Sequence, residues 1–239
     1  MDLPLLHLPA AGAPTLLFVL LHGVGARASD LAPLARRLAA EYPQAAVAGL
    51  DAPHAFDGAP PGHGGRQWFS VAGVTEANRP ERVAAARPGF VATIRALQAR
   101  FAMDWPHTAL VGFSQGAILA LEAVQAEAQL AGRVLAFSGR HATAPTHAPV
   151  DTTVHLLHGL ADRVIPPGPA IDAAERLVAL GGDVTADVLP GIGHELHPAL
   201  VERAIEQLRG FLPKRAWRSA LGEAPLIARV ASSAELGPR

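Results

Sequence analysis

Thr108-Ala109-Leu110-Val111-Gly112-Phe113-Ser114-Gln115-Gly116 reads as an apolar strand that runs onto a serine with a glycine two residues to either side. A segment rich in alanine and leucine, Gln115 to Leu130, follows with helical character. Strand, sharp turn and helix in that order can hold a hydroxyl proud of a sheet on a strained backbone. Glycine is required at 112 and 116 because side chains there would collide as the strand folds back into the helix. A bare Gly-x-Ser-x-Gly match is weak; the flanking elements give it its weight.

Outward from this stretch, short apolar runs alternate with helical patterns. Leu16–Leu21 has no polar alternation, as expected of a strand covered on both faces. Ser29 and Asp30 open a helix with Leu31, Leu34, Ala35, Leu38 and Ala39 on one face. Ala45–Leu50 reads as a second strand, and Pro80 to about Met103 as a helix interrupted near Pro88. Beyond the central helix come strands at Arg133–Phe137, Thr153–Leu157 and Asp183–Leu189. A helix marked by Ile171, Ala174 and Leu177 stops at Gly181-Gly182, and Val201, Ile205, Leu208 and Leu212 stripe a last one. This is β/α alternation, so the expected fold class is α/β, a mostly parallel sheet flanked by helices. One domain is expected over residues 1–213, with 214–239 a tail that is either a peripheral helix or disordered.

Composition narrows the function. Half of the 239 residues are hydrophobic and 17% are charged, below the usual ~25%, so much of the chain is expected to be buried. The net charge of −1 gives no electrostatic case for nucleic acid or an anionic membrane. Zero cysteines exclude disulfides, thiolate zinc sites and a cysteine nucleophile. No lysine or arginine precedes Arg27, so a secretory n-region is lacking and a cytoplasmic protein is expected. The apolar run at Leu16–Leu21 is far short of the ~20 residues that span a bilayer.

Ligands of parallel sheets sit at the carboxyl ends of the strands, which is where partners for Ser114 are expected. A serine hydroxyl needs a base to take its proton, and the base needs a carboxylate to hold its tautomer. Asp162 follows the strand Thr153–Leu157, and His194 follows Asp183–Leu189 through Pro190-Gly191-Ile192-Gly193. The order Ser114, Asp162, His194 is that of the α/β-hydrolase arrangement. His22-Gly23-Val24-Gly25 follows the first strand, so the Val24 and Gln115 N–H groups make a natural oxyanion hole, the latter at a helix N-terminus. Asp162 competes with a loop-capping reading, and His194 with His197, which precedes Pro198 at a helix start and reads as a capping or surface residue. His22 and His158 are expected to brace loops. Eleven histidines invite a metal reading, but none makes a His-x-x-x-His pair on a helix. Asp57 to Gly65 is rich in glycine and proline and leads to Trp68-Phe69, the only adjacent aromatics, which are expected to wall an acyl pocket.

Together Leu21-His22-Gly23-Val24-Gly25, Gly112 to Gly116, Asp162-Arg163-Val164-Ile165-Pro166 and Gly193-His194-Glu195-Leu196 resemble the phospholipase/carboxylesterase family. That family includes acyl-protein thioesterases and small bacterial carboxylesterases. Gly65 to Val71, with Thr75 to Arg79, is more similar to its bacterial esterases than to the thioesterases. Where many relatives have Trp, an aromatic and Asp, this chain has Trp68-Phe69-Ser70. The resemblance spans residues 16 to about 213 and implies a hydrolase without a large cap domain, acting on carboxylic ester or thioester bonds. No cofactor or metal is expected, and the expected partner is a small-molecule ester. A homodimer is left open. The rival readings are a lysophospholipase or acyl-protein thioesterase, a peptidase on the same fold, and a catalytically silent binding protein.

Overall fold

The computed structural model describes residues 5–60, 62 and 64–223, so Pro61, His63 and most of the tail lie outside it. In chain order the strands are β1 (Leu5–His7), β2 (Leu16–Leu21), β3 (Ala45–Leu50), β4 (His54–Ala55), β5 (Arg66–Gln67), β6 (Thr108–Phe113), β7 (Arg133–Phe137), β8 (Thr153–Gly159) and β9 (Asp183–Leu189). The helices are α1 (Ala32–Glu41), α2 (Arg79–Arg100), α3 (Gln115–Ala126), α4 (Gly168–Ala179), α5 (Pro198–Gly210) and α6 (Lys214–Ala220).

Seven strands make one sheet in the order β1-β3-β2-β6-β7-β8-β9, parallel except for β1, which pairs antiparallel with β3. The expected α/β class with a mostly parallel sheet is what the chain adopts. Leu17, Val19 and Leu21 face one helical layer, where Ile94 of α2 and Leu119 and Leu121 of α3 are buried. Phe18 and Leu20 face the other, with Leu34 and Leu38 of α1 and Leu200 and Ile205 of α5. Burial on both faces explains why these strands carry no polar alternation.

Three readings are corrected. Pro88 does not interrupt α2, which is continuous from Arg79 to Arg100. Pro88 and Ala84, whose carbonyl loses its partner, are both exposed, so water can take the freed acceptor. Helix α3 ends at Ala126 rather than Leu130; Gln129 has φ 57°, and Leu130 is wholly buried in the link to β7. Leu212 lies past the end of α5 and is 53% exposed, so it does not extend the stripe. By contrast the stop at Gly181-Gly182 is a Schellman turn. Gly181 has φ +83°, its N–H donates to Val178 O, and the Gly182 N–H donates to Leu177 O at 2.8 Å.

Candidate active site

Ser114 joins β6 to α3 with φ 52° and ψ −115°, a left-handed backbone that a residue with a Cβ adopts only when its surroundings force it. The force comes from close packing on both sides. A Cβ on Gly112 would stand 2.5 Å from Ala117 N, and one on Gly116 would stand 2.4 Å from Leu21 O, so neither position tolerates a side chain. The Ser114 N–H is tied to Phe137 O at 2.9 Å, which fixes the turn against β7.

β8 and β9 deliver the other two residues. The His194 ring spans from Ser114 to Asp162, with Nε2 2.9 Å from Ser114 Oγ and Nδ1 2.7 Å from Asp162 Oδ2. Gly159 at the end of β8 lets the His194 loop approach, since a Cβ there would meet Ile192 O at 2.3 Å. The Phe113 ring packs beside the imidazole, with centroids 5.0 Å apart. Asp162 is buried, and its Oδ1 accepts the Val164 and Ile165 N–H groups, each at 2.9 Å. Burial pushes the Asp162 pKa up, but the hydrogen bonds from His194, Ile165 and Val164 outweigh it and hold the carboxyl below its ordinary value. Asp162 therefore faces His194 as an ionised carboxylate at neutral pH.

His22 and His158 brace the surrounding loops. His22 Nδ1 donates to Gly23 O at 2.7 Å, and Nε2 accepts the Ala52 N–H at 3.0 Å. His158 Nε2 donates to Ile165 O at 2.7 Å and lies 3.3 Å from Asp162 Oδ2, so the carboxylate faces a second histidine that the sequence did not assign to it. Burial lowers the pKa of both rings and favours their neutral forms. His197 is the N-cap of α5, its ring accepting the Ala199 N–H at 3.2 Å. Gly23 packs against Ser114, whose Cβ is 3.3 Å from where a Gly23 Cβ would stand, so the loop carrying Val24 lies beside the serine. Among the described residues neither the Val24 nor the Gln115 N–H donates to another group of the chain.

Trp68 and Phe69 are 4% and 5% exposed; Trp68 packs edge-on against Phe90 and, with Arg66, Ala86 and Leu119, lines a cavity of about 680 Å³. Gln115 holds the pair in place. Its Oε1 accepts the Trp68 N–H at 2.7 Å and its Nε2 donates to Phe69 O at 2.8 Å, so the residue after the serine clamps this pair by its side chain. The indole N–H of Trp68 donates to His22 O at 2.9 Å, linking the clamp to the loop that carries Val24. Trp68→Ala is accordingly expected to lower stability by about 3–5 kcal/mol, as for other buried tryptophans, measured by urea denaturation. A change under about 1 kcal/mol would mean that the indole is not core.

Comparison with known proteins accords with this geometry. The phospholipase/carboxylesterase family model matches residues 9–212. The chain belongs to that family. It is 42% identical over 207 residues to Esterase YpfH of Escherichia coli (strain K12), covering 86% of this chain and 87% of the relative. Among solved structures it is similar to esterase PE8, with a TM-score of 0.79 and 29% identity over 89% of this chain and all of that one. The Bacillus cereus carboxylesterase shares the fold, with a TM-score of 0.70 and 18% identity over 84% of this chain and 90% of that one. Family membership makes the chain a hydrolase of ester bonds and sets the silent binding protein aside. No helix among the described residues is long and apolar enough to cross a membrane.

Proposed function

We propose that the protein is a serine carboxylesterase that hydrolyses small, short-acyl carboxylic esters through an acyl-enzyme. The observation that carries this reading is the His194 ring, within hydrogen-bond reach of Ser114 Oγ at 2.9 Å and of Asp162 at 2.7 Å. Ser114 Oγ attacks the carbonyl carbon as His194 Nε2 takes its proton, and Asp162 holds Nδ1–H and stabilises the imidazolium. The oxyanion is held by the N–H groups of Val24 and Gln115, the second carrying the positive end of the α3 dipole. His194 then returns the proton to the leaving alcohol as the C–O bond breaks. Water, deprotonated by His194, attacks the acyl-serine; the carboxylic acid leaves and Ser114 recovers its proton.

Support for short acyl groups comes from the walls. Between β7 and β8 the chain forms no helix among the described residues, so no helical lid stands over Ser114 from that side. A pocket walled by loops without such a lid is expected to bury only a few methylenes, each worth ~0.8 kcal/mol. Along a series of p-nitrophenyl esters from acetate to palmitate, kcat/KM is expected to peak between acetyl and hexanoyl and to fall for palmitoyl. A second reading, hydrolysis of long-chain acyl esters or thioesters, is favoured by exposed apolar residues on the loops that carry the site: Val24 at 37%, Leu160 at 57% and Val164 at 69%. An S-palmitoyl peptide assayed beside the series decides between them. Faster turnover of palmitoyl substrates would overturn the short-acyl reading and leave the acyl-enzyme chemistry intact.

A further inference from the structure

At the end of the sheet opposite Ser114, where β2, β6 and β7 begin, a cavity of about 210 Å³ lies between Tyr42 and Leu208. Most of its wall is apolar, from Leu16, Phe18 and Leu208. Tyr42, His107, Thr108 and Arg133 break that surface; His107 is paired with Asp104 and the Thr108 hydroxyl donates to Asp104 O, which leaves two groups. The Tyr42 hydroxyl oxygen is buried and has no hydrogen-bond partner, although a buried phenol ordinarily finds one. Tyr42 packs its ring against Phe18 with centroids 5.5 Å apart, and both residues line the cavity.

The other group is the Arg133 guanidinium. It donates to His155 Nε2 and to Phe211 O, each at 2.9 Å, both neutral acceptors. Among the described residues no carboxylate lies within ion-pair distance of it. The acid nearest in its electrostatics, Asp183, is engaged by the Lys214 N–H at 2.6 Å. Burial and the neighbouring Arg215 lower the Arg133 pKa to about 10, and burial with the Arg133 charge lowers that of His155 to about 3, so the histidine adds no positive charge. A half-buried cation without a counter-charge is costly, and natural proteins rarely leave one unpaired.

We propose that this cavity is a binding site for a small monocarboxylate with a short apolar tail. The carboxylate accepts from the Arg133 guanidinium and from the Tyr42 hydroxyl, and the tail lies on Leu16, Phe18 and Leu208. Phosphate fits less well, because His107 and Thr108 are engaged by Asp104, so a dianion with several acceptor oxygens meets only the Arg133 cation and the Tyr42 hydroxyl in a mostly apolar wall. The ligand is of the same chemical class as the acid that ester hydrolysis releases, but the site is separate from the catalytic one.

The test is titration of butyrate, and separately of inorganic phosphate, into full-length protein followed by NMR and calorimetry. Wild type is expected to bind butyrate with a dissociation constant of ~1 mM, with resonance shifts at Leu16 and Leu208. His194→Ala, which alters only the catalytic end, is expected to bind it equally well. Tyr42→Phe keeps the ring and the fold; it is expected to weaken binding severalfold while esterase turnover without added acid stays unchanged. Arg133→Met is expected to weaken binding at least tenfold. The proposal is overturned if butyrate does not bind, if its shifts are confined to the loops of Ser114 and His194, if Tyr42→Phe binds as wild type does, or if phosphate binds as tightly as butyrate.

Discussion

Ser114→Ala is expected to remove nearly all esterase activity, on the order of 10⁶ in kcat by analogy with triad loss in other serine hydrolases, while leaving the fold intact. The size of the effect follows from the chemistry. Without Oγ no acyl-enzyme forms, and neither the histidine nor the oxyanion donors can substitute for the bond that is missing. The fold is expected to survive because the strain at this residue is held by its backbone, through the Ser114 N–H bond to Phe137 O and the close contacts of Gly112 and Gly116. Two measurements are needed: kcat on p-nitrophenyl butyrate, and covalent labelling by a fluorophosphonate. Labelling that persists in Ser114→Ala would move the nucleophile elsewhere in the chain.

The second large effect separates two histidines that lie three residues apart. His194→Ala is expected to lower kcat by orders of magnitude, because it removes the ring between Ser114 and Asp162 and leaves the buried carboxylate with two backbone donors and His158, none of which reaches the serine. His197→Ala removes an N-cap instead, which costs about 1 kcal/mol of stability and changes turnover only severalfold. Thermal denaturation beside steady-state kinetics distinguishes the two outcomes. If His197→Ala proves the more damaging to kcat, the assignment of the base is wrong.

Much of the scaffold was legible in the amino-acid sequence for a physical reason. Strands buried on both faces are apolar, so β2, β3, β6 and β7 announced their bounds residue by residue, while the partly buried edge strand β9 did so by alternating polar and apolar residues. β1 and the β4–β5 pair were not foreseen, because two or three residues carry no period. The elbow glycines were readable because one backbone passing another at van der Waals distance excludes any Cβ. Ser114, Asp162 and His194 could be picked out because each follows a strand end, and strand ends in a parallel sheet converge.

What the sequence could not decide depends on partners distant in the chain. Trp68 and Phe69 read as aromatics beside a loop, but the sequence does not show that the side chain of Gln115, 47 residues from Trp68, hydrogen-bonds their backbone and holds them in place. Pro88 looks like a helix break until the solvent exposure of Ala84 is known. The pairing of His158 with the Asp162 carboxylate, and the meeting of Tyr42 with Arg133 at the far end of the sheet, leave no local signal at all. Local pattern determined which segments are buried and where strands turn into loops, since burial acts on each residue through its own surface. Tertiary structure alone decided which polar groups face one another, because a hydrogen bond or an uncompensated charge belongs to a pair in space and not to a position in the chain.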